Sequence, residues 1–273
     1  MTRPWHEMTA LQLGSEIGAG RIDPVDLAQH FLDRSKSSPH GKAVYIALTE
    51  ARAKAEAEAA RVRARSGRRR GPLDGVPIAW KDLVDSAGTA TTFGSGLFRE
   101  RVPARDAQVL ARATEAGTVC LGKTNLSEFA FSGLGINPTY GTPHIPFDEA
   151  AQRCPGGSSS GSAVAISRGL APLAIGSDTG GSVRIPAAWN GLVGLKTTIG
   201  RVPVEGCMAL SPTFDTIGPL ARDVADANAI DAVLSGQPPA DLAGAGLKGE
   251  CLLVAETMLF DDCEPEVRGA VEA

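Results

Sequence analysis

A chain of 273 residues, 43% of them apolar, can bury a sizeable core, and a formal net charge of −4 excludes the broad positive field that nucleic acid would need. No stretch is apolar over the ~18 residues a membrane helix requires, and the opening MTRPWHEMTA lacks a signal-peptide core. The scattered cysteines Cys120, Cys154, Cys207, Cys251 and Cys263 have no CxxC spacing, which argues against disulfides and a zinc site and for a cytoplasmic setting.

Residues 1–70 read as helices. TALQLGSEIGAG ends on glycine, DPVDLAQHFLDRS offers Asp23 as a cap with Pro24 in the first turn, and a third helix covers 48–65. The basic run RVRARSGRRR (61–70) is read as a solvated helix end and loop. From Gly71 the texture changes: GVPIAW is a short β-rich run leading to Lys81, DAQVLARATEAG an amphipathic helix ending at Gly117, and TVCLGK a second strand. That succession predicts a crossover unit in a largely parallel sheet.

A loop rich in glycine and proline follows over 132–157; then SAVAISRG predicts a helix, APLAIGSD a strand and GLVGLK a buried strand. DVADANAIDAVLSG predicts a helix, ECLLVAE a strand and EPEVRGAVEA the opening of one more helix. The sequence stops inside that helix with neither glycine nor cap, so a fragment of a longer protein is expected. The expected organisation is one domain: an N-terminal helical segment, 1–70, packed on an α/β core, 71–273.

GGSSSGS (156–162) has the composition of a linker, but it abuts an apolar helix and is followed by residues that want burial, so its glycines serve backbone geometry. A phosphate loop would need Lys then Ser or Thr after the glycines, and none is there. GSSSG (157–161) matches a nucleophile elbow, yet that fold needs a later histidine and the last one is His144. A serine nucleophile here therefore needs another base, and lysine is the available one. Among Lys36, Lys42, Lys54, Lys81, Lys123, Lys196 and Lys248, none stands three residues after a serine. Lys81 and Lys123 each follow a short apolar strand, where open α/β sheets place their sites, and spacing does not choose between them.

GPLDGVPIAWKDLVDSAGTATTFGS (71–95), GKTNLSEFAFSG (122–133), PGGSSSGSAVA through GSDTGGSVRIPAAWNGLVGLKTTIGRVP (155–204) and FDTIGPLARDVADA (214–227) together resemble the amidase signature family. The resemblance runs through most of the chain. It implies an α/β/α sandwich with a mixed, largely parallel central sheet, here lacking the C-terminal part. It also implies amide hydrolysis by a Ser-cisSer-Lys triad, which maps onto Lys81 as base, Ser158 as bridging serine after a cis peptide at Gly157–Ser158, and Ser182 as nucleophile. Lys123 then becomes structural. The backbone N–H groups of Thr179, Gly180, Gly181 and Ser182 are implied as the oxyanion hole, Ser159 as orienting the lysine, and Asp178 with Arg184 as holding the loop. GLKTTIG departs from the family pattern at Thr197 and Ile199, as does Cys154, without touching the triad.

Lysine serves as a base only if burial depresses its pKa well below about 10.4; the apolar VPIA before Lys81 suits that, and Asp82 next door points to the opposite strand face. The expected reaction converts a linear carboxamide to carboxylate plus ammonia or amine through a serine acyl-enzyme. Rival readings are a truncated, inert family member and a glutamine-hydrolysing, A-type amidotransferase subunit. No metal or organic cofactor is expected, and the expected partners are a small-molecule amide and either a second copy or the missing C-terminal half.

Overall fold

The structure is a computed structural model that describes residues 3–243, 246, 248–251, 253 and 260–272. The chain divides into two compact units, Met1–Ala240 and Asp241–Ala273. In the first, helix α1 (Ala10–Gly18) starts at a capping box in which Thr9 and Gln12 satisfy each other's backbone N–H groups. Helix α2 (Pro24–Ser37) is capped by the Asp23 side chain, which accepts from the Val25 N–H at 2.9 Å, and it buries Leu27, Ala28, Phe31 and Leu32 at helical spacing. A one-turn helix α3 (Gly41–Val44) leads into strand β1 (Tyr45–Leu48), and helix α4 covers Glu50–Arg65. The basic run at the end of α4 is largely spent within the fold: Arg61 and Arg65 pair with Asp23, and Arg63 pairs with buried Asp74.

Strand β2 (Pro77–Lys81), helix α5 (Gln108–Glu115) and strand β3 (Val119–Thr124) form the expected crossover, and every residue of both strands is buried. Helix α6 (Ser160–Ser167) begins inside the glycine-serine stretch, two residues before the expected SAVAISRG. Strand β4 (Ala174–Asp178), helix α7 (Arg184–Trp189), strand β5 (Val193–Gly194), strand β6 (Thr216–Ala221) and helix α8 (Val224–Ser235) complete the unit. In the second unit, helix α9 (Pro265–Glu272) matches the expected last helix, and the expected strand over 250–256 falls largely outside the described residues.

The six strands run in the order β1-β3-β2-β4-β6-β5. The sheet is mixed as expected, but its parallel part is confined to β3-β2-β4, while β1 and the β4-β6-β5 flank pair antiparallel. The chain folds back at the flank because Thr216–Ala221 returns alongside β4, pairing Asp178 with Thr216 and Ala174 with Leu220. GLVGLK, expected as a buried strand, is corrected to a two-residue, half-buried pairing. Helices α2 and α4 pack on β3, α6 on β2 and β4, and α8 on β6. The C-terminal ends of β2 and β4 thereby lie side by side, where Lys81 and Asp178 end their strands.

Candidate active site

Strand alternation separates the two buried lysines. Trp80 pairs in register with Lys123, so these two side chains share a sheet face and Lys81 points to the other. Asp82, one residue on, returns to the Lys123 face and receives its ammonium at 2.7 Å, with Thr91 Oγ1 at 3.0 Å. Lys123 is thus held in a buried ion pair, and Lys81 is left for other partners.

Those partners are hydroxyls. Lys81 is fully buried, and its Nζ donates to Ser158 Oγ at 2.7 Å and to Ser177 Oγ at 2.9 Å. Burial pushes its pKa down to about 7, against the opposing charges of Asp178 and Asp215. A substantial fraction is therefore neutral at physiological pH, as a proton acceptor must be.

Ser158 follows a cis Gly157–Ser158 peptide. The surrounding chain grips it from three sides: Gly157 N–H donates to Gly133 O at 2.7 Å, Ser127 N–H to Ser158 O at 3.2 Å, and Ser159 N–H to Ser182 O at 3.2 Å. No side chain fits at position 157, because a Cβ there would sit 2.5 Å from Gly135 N and 2.6 Å from Ser132 O. The glycine of this stretch is thus required for close backbone approach.

Ser182 lies in the turn between β4 and α7 and is partly exposed. Gly181 before it has φ +132°, a conformation that side chains rarely adopt. The Ser159–Ser182 backbone bond ties the two serine segments together, while no hydrogen bond joins the Ser158 and Ser182 hydroxyls. The structure therefore closes the Lys81–Ser158 link and leaves Ser158–Ser182 open.

Asp178 is buried and accepts from the N–H groups of Gly181, Val183 and Arg184, and from Arg184 Nε and Nη2 at 3.0 and 2.9 Å. Burial alone would raise its pKa; the hydrogen bonds from Arg184 and Val183, with the Arg184 charge, hold it below the ordinary carboxylate value. The Gly181 N–H is consumed by this carboxylate, which removes it from the expected set of four oxyanion donors. The N–H groups of Thr179, Gly180 and Ser182 have no acceptor within the described residues. Ser159 does not touch the lysine directly: its hydroxyl reaches Ser177 O at 3.4 Å, and the second lysine partner is Ser177.

Two residues escaped the sequence reading. Ser177 sits at a strand end, where nothing in its spacing marked it as a lysine ligand. Asp215 lies within FDTIGP, and its carboxylate accepts from Thr179 Oγ1 at 2.5 Å. With Ser177, Thr179, Leu83, Met208 and Ile217 it lines a pocket of about 120 Å³. Cys207 is on the same wall, but burial pushes its thiol up to about 12, the reverse of a reactive cysteine.

A sequence model of the Amidase family matches residues 26–249. The A-type subunit of glutamyl-tRNA(Gln) amidotransferase from Anaeromyxobacter dehalogenans (strain 2CP-C) is 40% identical over 248 residues, covering 90% of this chain and 50% of that protein. The native peptide amidase from Stenotrophomonas maltophilia superposes with a TM-score of 0.79 at 39% identity, covering 86% of this chain and 49% of the other. A structure described as a vestigial protein complex bearing on the origins of an s-triazine catabolic enzyme gives a TM-score of 0.80 at 35% identity, covering 88% and 52%. The chain spans about half the length of the curated relatives it matches. With the family match running across most of its sequence and the same fold in solved relatives, the chain belongs to the amidase signature family.

Proposed function

We propose that this chain carries the acyl-transfer centre of an amidase that hydrolyses a linear carboxamide to a carboxylate and ammonia or amine. The observation that carries the reading is the buried Lys81 amine, with a pKa near 7, donating to the Ser158 hydroxyl.

Substrate entry brings the Ser158 and Ser182 hydroxyls into hydrogen bond, a contact that commonly tightens only in the complex. Ser182 Oγ then attacks the amide carbon as its proton passes to Ser158 and that of Ser158 to neutral Lys81. The tetrahedral oxyanion takes hydrogen bonds from the free N–H groups of Thr179, Gly180 and Ser182, a kind of interaction worth roughly 10²–10³ in rate per donor. Collapse expels the nitrogen, which takes the proton back along the same relay, and water cleaves the acyl-enzyme by the reverse path. Asp178 and Arg184 hold the turn, and Ser159 acts on the lysine at one remove through Ser177.

Glutamine hydrolysis as part of an amidotransferase is the second reading, favoured by relatives named as A-type subunits of such enzymes. In that case ammonia passes to a partner, and glutaminase activity depends on one. The proposed setting is the cytoplasm, consistent with unpaired cysteines and with no helix long and apolar enough to cross a membrane among the described residues.

Ammonia release from a panel of primary amides, aryl amides, ureas and glutamine is the test. Turnover of at least one, lost in Ser182→Ala, is expected. Well-folded chain in which Ser182 is not modified by a serine-hydrolase probe points to the inert reading, and turnover persisting in Ser182→Ala contradicts the nucleophile assignment.

A further inference from the structure

The turn that carries Ser182 is anchored by two carboxylates, and only one of them belongs to the turn itself. Asp178 binds its C-terminal side through the Gly181, Val183 and Arg184 N–H groups. The N-terminal side is bound from another element: Thr179 Oγ1 donates to Asp215 Oδ1 at 2.5 Å, and the next residue, Thr216, donates from Oγ1 to Asp178 O at 2.7 Å. Asp215 also accepts the Leu210 N–H at 2.8 Å and the Ser211 N–H at 3.0 Å, so its carboxylate is fixed before it meets Thr179.

The segment it fixes returns to the chain just after the strand that carries Lys81. Met208 N–H donates to Leu83 O at 3.0 Å, Cys207 bridges Val84, and Asp85 N–H donates to Gly206 O at 2.9 Å. A continuous path therefore runs from the residues just after Lys81, through 206–211 and Asp215, to Thr179. Nothing else in the described structure bonds the Thr179 side chain.

We infer that Asp215 is a positioning residue of this site: through Thr179 it aims the free N–H groups of the 179–182 turn at the substrate carbonyl oxygen and sets that turn relative to Lys81. The inference rests on the acyl-transfer reading of the site. Asparagine at 215 keeps the shape but turns an N–H₂ toward at least one of the donors now satisfied, which loosens the anchor without opening a cavity.

The test is the second-order rate at which an alkyl fluorophosphonate labels Ser182 in the 273-residue chain. In that reaction the Ser182 Oγ–P bond forms, P–F breaks, fluoride leaves, and the hydroxyl proton moves to Lys81 by way of Ser158. The phosphoryl oxygen occupies the oxyanion position, so the rate reports the aim of the turn. Asp215→Asn and Thr179→Val are each expected to slow labelling by about tenfold or more, a part of what losing a whole donor costs. The double variant is expected to be no slower than the slower single, because both remove one link, and Thr179→Ser, which keeps the hydroxyl, is expected to label faster than Thr179→Val. Asp215→Asn should also move the acid limb of the labelling rate to lower pH by removing a charge that favours the Lys81 ammonium, leaving Asp178 as the other, whereas Thr179→Val should not.

Wild-type chain labelled at Ser182, with Asp215→Asn labelled equally fast or with the two effects multiplying, overturns the inference alone. Wild-type chain that is folded and unlabelled overturns the acyl-transfer reading and this inference with it. If Asp215→Asn does not fold, Thr179→Val against Thr179→Ser decides: equal rates in those two overturn the role of the Thr179 hydroxyl.

Discussion

Replacing Lys81 with methionine will lower amide turnover by at least about 10²–10⁴-fold, the usual contribution of a positioned base, while making the folded chain more stable at pH 7. The loss follows from removing the one amine that reaches Ser158 among the described residues, since Lys123 lies on the opposite face and is bound to Asp82. The gain follows from linkage. Burial moves Lys81 from 10.5 to about 7, so across that window the unfolded chain binds a proton that the folded chain does not, and stability rises with pH. At pH 7 the wild type therefore carries a penalty of about 4 kcal/mol, and methionine removes it. The Ser158 and Ser177 hydroxyls lose their donor at about 1 kcal/mol each, leaving a net gain of about 2 kcal/mol. Urea denaturation at pH 7 and pH 10 checks this: the variant should be the more stable at pH 7, and its advantage should shrink at pH 10. A variant less stable at pH 7 would mean that Lys81 is not buried as a depressed amine.

The largest loss of stability is expected at the other lysine. Lys123 and Asp82 are both fully buried at 2.7 Å, and Thr92 adds two hydrogen bonds to the same carboxylate, from its N–H at 2.9 Å and its Oγ1 at 2.6 Å. Lys123→Met leaves an uncompensated buried carboxylate, at a cost of about 3–5 kcal/mol. Removing both charges, as Asp82→Leu with Lys123→Met, should recover much of that loss, because the desolvation of both ions disappears with their attraction. Thermal melting of the two single variants and the double decides the point: a double variant as unstable as the sum of the singles would contradict it.

The parts of this fold that were legible in the sequence are those whose signal is local. The β2-α5-β3 crossover shows in its periodicity, and α2 shows in Asp23, Pro24 and its apolar spacing. Strand β6 was hidden because Thr216–Ala221 contains Gly218-Pro219, which reads as a turn; its place beside β4 is decided by long-range pairing. Strand β1 was hidden by its four residues and by the helix that starts two positions later. GLVGLK has the composition of a buried strand, but a Cβ at Gly194 would meet Ala187 Cβ at 2.6 Å, so α7 presses on the backbone just where the pairing is shortest.

At the site, residue chemistry narrowed the base to Lys81 or Lys123 and stopped. Only the family resemblance chose; the structure puts the two lysines on opposite faces through the Trp80–Lys123 register, which spacing along one strand does not contain. Ser177 and Asp215 reach Lys81 and the 179–182 turn from other segments, so no motif around either announces the contact. The Gly181 N–H illustrates the converse: the resemblance included it as an oxyanion donor, and its actual acceptor, the Asp178 carboxylate, emerges only from the folded turn.

The central claim is that a neutral Lys81 activates Ser182 through Ser158, and the pH dependence of fluorophosphonate labelling at Ser182 tests it most directly. The labelling rate should rise with pH through about 7 and level off above, as the Lys81 ammonium gives up its proton, and both the rate and its pH dependence should vanish in Lys81→Met. A rate that is flat from acid to alkaline pH, or one that survives that substitution, would contradict the account.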